Sequence, residues 1–195
     1  MKNNKKITKK IIAGEFKGKT LTMPSKNTTR SSKAIVLESF FNTIQFDIID
    51  ANFVEVFSGS GSVGLEALSR GAKQIYFMEQ DRDALNILKK NISLTDPTRC
   101  EVFGGDSFSN INSVVNILKR KKEDTYFYID PPFSIRDGMD DIYDKTIDLI
   151  ANLPKELVKL VIIEHMSGLK IPQKIENYEL QKSKKFGNTT LSYYL

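Results

Sequence analysis

From Asn52 onward, short β-rich runs alternate with helical stretches, and that alternation leaves the chain few folds to choose from. The runs fall at 53–57, 74–78, 99–103, 125–129 and 158–164, with helical patterns at 62–70, 81–94, 107–120 and 139–152 between them. Strand, helix, strand in repetition joins parallel neighbours through right-handed crossovers. The expected fold is therefore α/β, a Rossmann-like and mostly parallel sheet with helices on both faces. The last residues break the rhythm: 178–182 and 190–194, separated by a polar stretch with Gly187-Asn188, predict an antiparallel hairpin that closes the sheet.

Ahead of this body lies a different segment. Residues 11–13 and 19–22, joined through Gly14 and Gly18, predict a short hairpin or arm. A helix follows, with candidate caps at Ser31 and Ser32 and apolar positions Ile35, Val36, Phe40, Phe41 and Ile44 at three- and four-residue spacings, ending near Asp47. The expected division is a small extension over 1–47 and a larger domain over 48–195. Charge divides the chain in a similar way. The net charge is +5, but residues 1–33 hold ten basic side chains and one acid, so the remainder is slightly acidic. A basic arm on an acidic body points to a polyanionic partner, with Lys17, Lys19, Arg30 and Lys33 as candidate contacts and 2–10 as a solvated tail or an additional one.

Several classes are excluded. No apolar stretch approaches the roughly 20 residues that cross a bilayer. One cysteine, Cys100, permits no intramolecular disulfide and no thiolate metal site, so no metal is expected and a reducing, cytoplasmic setting fits. A chain of 195 residues suits one α/β domain, with a monomer as the default.

The first parallel run leads into Ser58-Gly59-Ser60-Gly61-Ser62-Val63-Gly64, a G-x-G-x-x-G between strand and helix. Such glycines let the backbone approach a ligand while the helix N-terminus presents unpaired N–H groups. The loop alone serves a nicotinamide cofactor, S-adenosylmethionine or a tight turn with no ligand. Three acids at successive strand ends narrow the choice, because ligands of open α/β sheets bind along that edge. Glu55, in the first run, suits a ligand with an ammonium group. Glu79, 20 residues beyond Gly59, is placed for ribose hydroxyls, and Asp106 lies where an adenine would sit, or else caps a helix.

The fourth run ends in Asp130-Pro131-Pro132-Phe133. Two prolines remove two backbone donors and stiffen the turn, so the Asp130 carboxylate and the Pro131 carbonyl form a fixed pair of acceptors. That pair suits the exocyclic amine of a base, whose lone pair is otherwise delocalised into the ring, and Phe133 offers a face for stacking. His165, the only histidine, has no triad partner in the sequence, and its expected role is structural.

Together these residues resemble the amino-methylating class I S-adenosylmethionine-dependent methyltransferases. More closely, residues 11–19, Arg30, 38–42, 55–61 and 66–72 resemble the bacterial 16S ribosomal RNA (guanine-N2)-methyltransferase D family, a likeness running from about residue 11 to the C-terminus. The resemblance implies methylation of the N2 amine of one guanine in 16S ribosomal RNA, in a small-subunit particle, with S-adenosylmethionine as cofactor and S-adenosylhomocysteine as product. By position it implies that Glu55, Phe57, Gly59, Ser60, Gly61, Glu79, Gln80, Asp106 and Ser107 hold the cofactor. Asp130, Pro131, Pro132 and Phe133 would then hold the guanine, which must leave its stack to reach them. Ser31 and Leu37 depart from the family pattern, which has Pro and usually Arg there. The alternatives are a DNA adenine-N6 methyltransferase, which uses a similar turn, a nicotinamide-dependent oxidoreductase, and a non-catalytic RNA-binding protein.

Overall fold

The computed structural model describes residues 7–24, 30–132 and 141–195, with the side chains of 30–33 left out. Five parallel strands form the heart of the sheet: β3 (Asn52–Glu55), β4 (Gln74–Glu79), β5 (Cys100–Gly104), β6 (Thr125–Ile129) and β7 (Val158–Met166). The antiparallel strands β10 (Thr189–Tyr194), β9 (Tyr178–Phe186) and β8 (Lys174–Ile175) extend it in the order β5-β4-β3-β6-β7-β10-β9-β8. The chain leaves β3 in one direction to build β4 and β5, then crosses back to build β6 and β7 on the other side. The reversal puts a crevice between the carboxyl ends of β3 and β6, where such sheets bind ligands.

Helices α2 (Ser62–Ser69), α3 (Arg82–Ile92), α4 (Ser107–Lys121) and α5 (Ile142–Ala151) occupy the expected connections. Strand alternation divides the apolar residues between two layers. Phe53, Tyr126, Tyr128 and Tyr193 pack with α1 (Arg30–Thr43), α2 and α3, while Val54, Tyr76, Phe127 and Val161 pack with α4 and α5. Phe40 of α1 is central to the first layer, with ring centroids 5.2 Å from Tyr128, 6.2 Å from Phe53 and 6.5 Å from Tyr193. Leu37 is buried there too, so an apolar residue at that position answers a packing requirement.

The N-terminal segment differs from expectation in two places. Strands β1 (Thr8–Lys10) and β2 (Thr20–Thr22) pair antiparallel, but 11–13 are not part of the ladder. Ile11 still bonds Lys19 and Gly18 across the hairpin, but the amides of Ile12 and Ala13 turn elsewhere. The buried carboxylate of Glu66 on α2 accepts from the amides of Ile12 at 2.7 Å and Ala13 at 3.1 Å. The Ser69 hydroxyl donates to the Ala13 carbonyl at 2.5 Å and accepts from the Phe16 amide at 2.9 Å. Gly14 adopts φ +83°, and a Cβ there would lie 1.7 Å from the Ser69 carbonyl oxygen. Helix α1, for its part, begins at Arg30 and stops at Thr43, short of Asp47, because the Ile44 amide turns back to the Phe41 carbonyl. Ser31 and Ser32 therefore lie within the helix rather than before it, and 28–29 fall outside the described residues.

The arm thus docks on α2 through one buried carboxylate that also bonds Arg70 Nε at 2.7 Å. Removing that acceptor strands two amides and a guanidinium. Glu66→Ala is expected to lower the unfolding free energy by about 2–4 kcal/mol, measured by urea denaturation, and a loss near that of an exposed substitution, about 0.5 kcal/mol, would refute the bracing role.

Candidate active site

The crevice is built from the ends of β3 and β6. Glu55 pairs with Tyr128 in register, and the Val56 amide reaches the Tyr128 carbonyl at 3.0 Å, so Asp130 emerges beside the residues that enter the glycine loop. Gly59 and Gly61 take φ of +54° and +76°, a conformation that disfavours side chains, and a Cβ on Gly61 would meet Leu88 at 2.3 Å. A Cβ on Gly59 would point into open space, so the backbone at Gly59 is exposed to whatever fills the crevice. Ser58 secures the turn from below, donating to the Glu55 carbonyl at 2.8 Å and accepting from the Met78 amide at 2.9 Å.

Glu55 is buried, and its Oε2 accepts from the Gly64 amide at 2.8 Å, in the first turn of a helix with no side-chain cap. Burial pushes its carboxyl from 4.5 up to about 8, against the opposing pull of the Gly64 and Val63 amides and of Lys9, with Asp130 adding to the rise. Lys9 comes from β1 and its Nζ lies 3.5 Å from Ser62 Oγ, so the arm contributes a cation at the edge of the site. Glu79, half-buried at the end of β4, accepts from the Gly59 amide at 2.6 Å and from the Asp81 amide at 2.7 Å. Its carboxylate joins the loop to the second strand end.

The remaining expected residues divide by what their side chains touch. Asp106 caps α4, accepting from the amides of Phe108 and Ser109 and from the Ser109 hydroxyl at 2.8 Å. Ser107 is buried and donates to the Val56 carbonyl at 2.5 Å, tying α4 to the end of β3. Phe57 packs edge-on against Phe108 at 5.6 Å, Gln80 is exposed, and the Ser60 hydroxyl donates to the Met23 sulfur at 3.2 Å. Pro131 is buried and Pro132 half-buried; Phe133 lies outside the described residues. On the arm, Lys17 is exposed, whereas the Lys19 ammonium bonds the Leu94 carbonyl and sits 5.3 Å from the Phe16 ring centroid. Arg30 and Lys33 are in the first turn of α1.

Sequence reasoning missed three residues. Asn91, buried on α3, donates through Nδ2 to the carbonyls of Ser60 and Thr22, both at 2.9 Å, and accepts from the Thr22 amide, so it ties the glycine loop to the arm. No motif marks it. Tyr128 and Glu164 form the second omission: the Tyr128 hydroxyl donates to Glu164 Oε2 at 2.6 Å in the buried floor of the crevice. Glu164 closes the β-rich run 158–164 in the sequence as Glu79 follows the run 74–78, so the rule that picked out Glu79 would have found it, although β7 itself continues to Met166. The ring nitrogens of His165 are both engaged by neighbouring groups of the sheet. Its Nδ1–H donates to the Met166 carbonyl at 3.0 Å, Nε2 accepts from Ser192 Oγ at 2.9 Å, and burial lowers its pKa. Among the described residues no group of His, Cys, Asp and Glu is arranged to hold a metal ion, and no helix is long and apolar enough to cross a membrane.

Known proteins resemble this chain in sequence and fold. The family described as Conserved hypothetical protein 95 matches residues 9–195. Ribosomal RNA small subunit methyltransferase D of Escherichia coli is 30% identical over 188 residues, covering 95% of this chain and 88% of its own. A solved Escherichia coli structure described as a methyltransferase superposes with a TM-score of 0.75 at 27% identity, covering 96% and 97% of the two chains. A methyltransferase crystallised with SAH has the same fold, with a TM-score of 0.61 at 11% identity over 90% of this chain and 53% of its own.

Glu55 gives the site a pH signature. Its carboxyl keeps its proton in the folded state up to about 8 but loses it near 4.5 when unfolded, so its contribution to stability is full below about 4.5 and is lost as pH rises toward 8. From about pH 6 to about pH 8 the protein is expected to lose about 2 kcal/mol that Glu55→Gln does not lose. His165 titrates in both proteins and cancels from the comparison. Urea midpoints at the two pH values measure the difference, and parallel losses would show that Glu55 ionises normally.

Proposed function

The chain belongs to the family described as Conserved hypothetical protein 95, together with ribosomal RNA small subunit methyltransferase D, and on that premise we propose that it methylates the exocyclic N2 of one guanine in 16S ribosomal RNA. The observation that carries the reading is the Asp130-Pro131-Pro132 turn beside Glu55 and the glycine loop, at the reversal point of the sheet. S-adenosylmethionine fits the donor set: the buried Glu55 carboxyl, which an ammonium group beside it would draw toward its ionised form, suits that end of the ligand, Glu79 the ribose hydroxyls, the open Gly59 backbone its close approach, and Asp106 the neighbourhood of the adenine. When bound, it supplies an electrophilic methyl group on a sulfonium sulfur and leaves as S-adenosylhomocysteine.

The protein's own task is to prepare the amine. Asp130 Oδ and the Pro131 carbonyl accept its two protons, turning the nitrogen lone pair out of conjugation with the ring and toward the methyl donor. Pro131 and Pro132 hold the two acceptors in place without offering a competing donor. The cationic product nitrogen then releases one proton to solvent, so no histidine base is required. His165 is fully engaged with Met166 and Ser192, which agrees with that economy.

RNA contacts are assigned to the arm and α1. Lys17, exposed at the hairpin tip, and Arg30 and Lys33 in the first turn of α1 supply cations for phosphates; Lys19 braces the arm through Leu94 and Phe16 as well. The arm is fastened to α2 and α3 around the same loop that receives the cofactor, so phosphate binding and cofactor placement share a support. A small-subunit particle is the proposed substrate, a monomer the proposed form of the enzyme and the cytoplasm its compartment. A nicotinamide-dependent oxidoreductase has no use for the Asp130 turn, and the family relationship gives that alternative no support.

Asp130→Ala tests the chemistry. The variant is expected to lose at least about 100-fold in labelled methyl transfer to small-subunit particles, while calorimetry finds S-adenosylmethionine affinity within about threefold of wild type. Unchanged turnover would remove Asp130 from the mechanism.

A further inference from the structure

The Asp130 turn recognises an exocyclic amine but does not say which base carries it, because adenine N6 and guanine N2 present the same two protons. The residue beside it makes the distinction. Strands β6 and β7 run parallel, and the last residues in register are Ile129 and Ile163; the residues that follow them on each strand are Asp130 and Glu164. Adjacent parallel strands lie about 4.8 Å apart, so the two carboxylates emerge as neighbours on the carboxyl edge. Tyr128, two residues before Asp130 and two register positions from Glu164, holds the Glu164 carboxylate by its 2.6 Å hydrogen bond. The charges of Glu164, Asp130 and Glu55 all act on the Tyr128 hydroxyl, and those of Asp130 and Glu164 also act on Tyr143 of α5. Burial and these carboxylates keep the Tyr128 hydroxyl protonated, so it orients Glu164 as a donor at all working pH values.

Resting on the reading of this site as an RNA amino-methyltransferase, we propose that Glu164 is the specificity-determining residue for guanine, its carboxylate accepting the N1–H of the base whose N2 amine is held by Asp130 and Pro131. Guanine presents N1–H and N2–H as adjacent donors, which match two adjacent acceptors. Adenine presents N6–H beside an unprotonated N1, whose lone pair would face the Glu164 carboxylate, and a carboxylate has no proton to offer. The mismatch leaves two buried acceptors opposed, the kind of penalty that discriminates strongly between substrates differing by one hydrogen. It also accounts for a carboxylate, whose burial is costly, where the preceding residues of β7 are Ile162 and Ile163.

A substrate analogue tests this without altering the protein. 2-Aminopurine retains the N2 amine but has a bare N1 and no N1–H. Small-subunit RNA carrying 2-aminopurine at the target nucleotide is expected to be methylated by the wild-type enzyme at least about 30-fold less efficiently, in kcat/KM, than the guanine form. Glu164→Gln, whose amide can donate to a bare N1, is expected to reduce that preference at least about tenfold, with S-adenosylmethionine affinity unchanged as the control for folding. A wild-type enzyme that methylates both RNAs equally would overturn the role of Glu164, as would a Gln variant that keeps the full preference. Absence of N2 methylation on the guanine RNA would instead overturn the amino-methyltransferase reading on which the proposal rests.

Discussion

Helix α2 begins without a side-chain cap, and the amide of Gly64 in its first turn is satisfied by the buried carboxylate of Glu55 from the neighbouring strand. The rest of the working edge is arranged around that bond. It fixes where the glycine loop turns and places a carboxyl group under the loop. The outer face of the same helix then carries Glu66, whose carboxylate gathers the amides of Ile12 and Ala13 and so seats the basic arm. One short helix thereby joins cofactor loop, arm and sheet. The cost is two buried carboxyl groups: Glu55 is met by the Gly64 amide, and Glu66 by two arm amides together with the Arg70 guanidinium.

Edge chemistry follows from sheet order. Because β6 is laid beside β3 after the chain has already built β4 and β5, the end of the fourth parallel strand in sequence lies next to the end of the first in space. Glu55, Asp130 and Glu164 come from three consecutive strands of the sheet, and Tyr128 is the common neighbour on which all three act. A linear motif cannot express this. The Asp130 turn is local in sequence, but its selectivity comes from the strand beside it, 34 residues further along.

The parallel sheet, its crossover helices and the closing hairpin were legible because periodicity is a local property and each run was bounded by turn residues. The glycine loop and the acids Glu55 and Glu79 were legible for the same reason. What escaped was set by long-range partners. Residues 11–13 read as part of a hairpin or arm, yet the amides of Ile12 and Ala13 are taken by Glu66, more than 50 residues away, and the ladder forms at 8–10 instead. Asn91 looked like any polar residue on a helix until α3 placed it between Ser60 and Thr22. Asp106 presented two readings, cap and ligand, and its place at the start of α4 realises the cap. Leu37, where the resembled family usually has Arg, is explained by burial against the aromatic layer around Phe40.

The account depends most on the product. Nucleoside mass spectrometry of 16S ribosomal RNA from a strain lacking this chain, compared with the parent, measures it directly. The account predicts that one N2-methylguanosine disappears and returns when the intact chain is re-expressed. An unchanged N2-methylguanosine content, or the loss of a methylated adenine in its place, would contradict it.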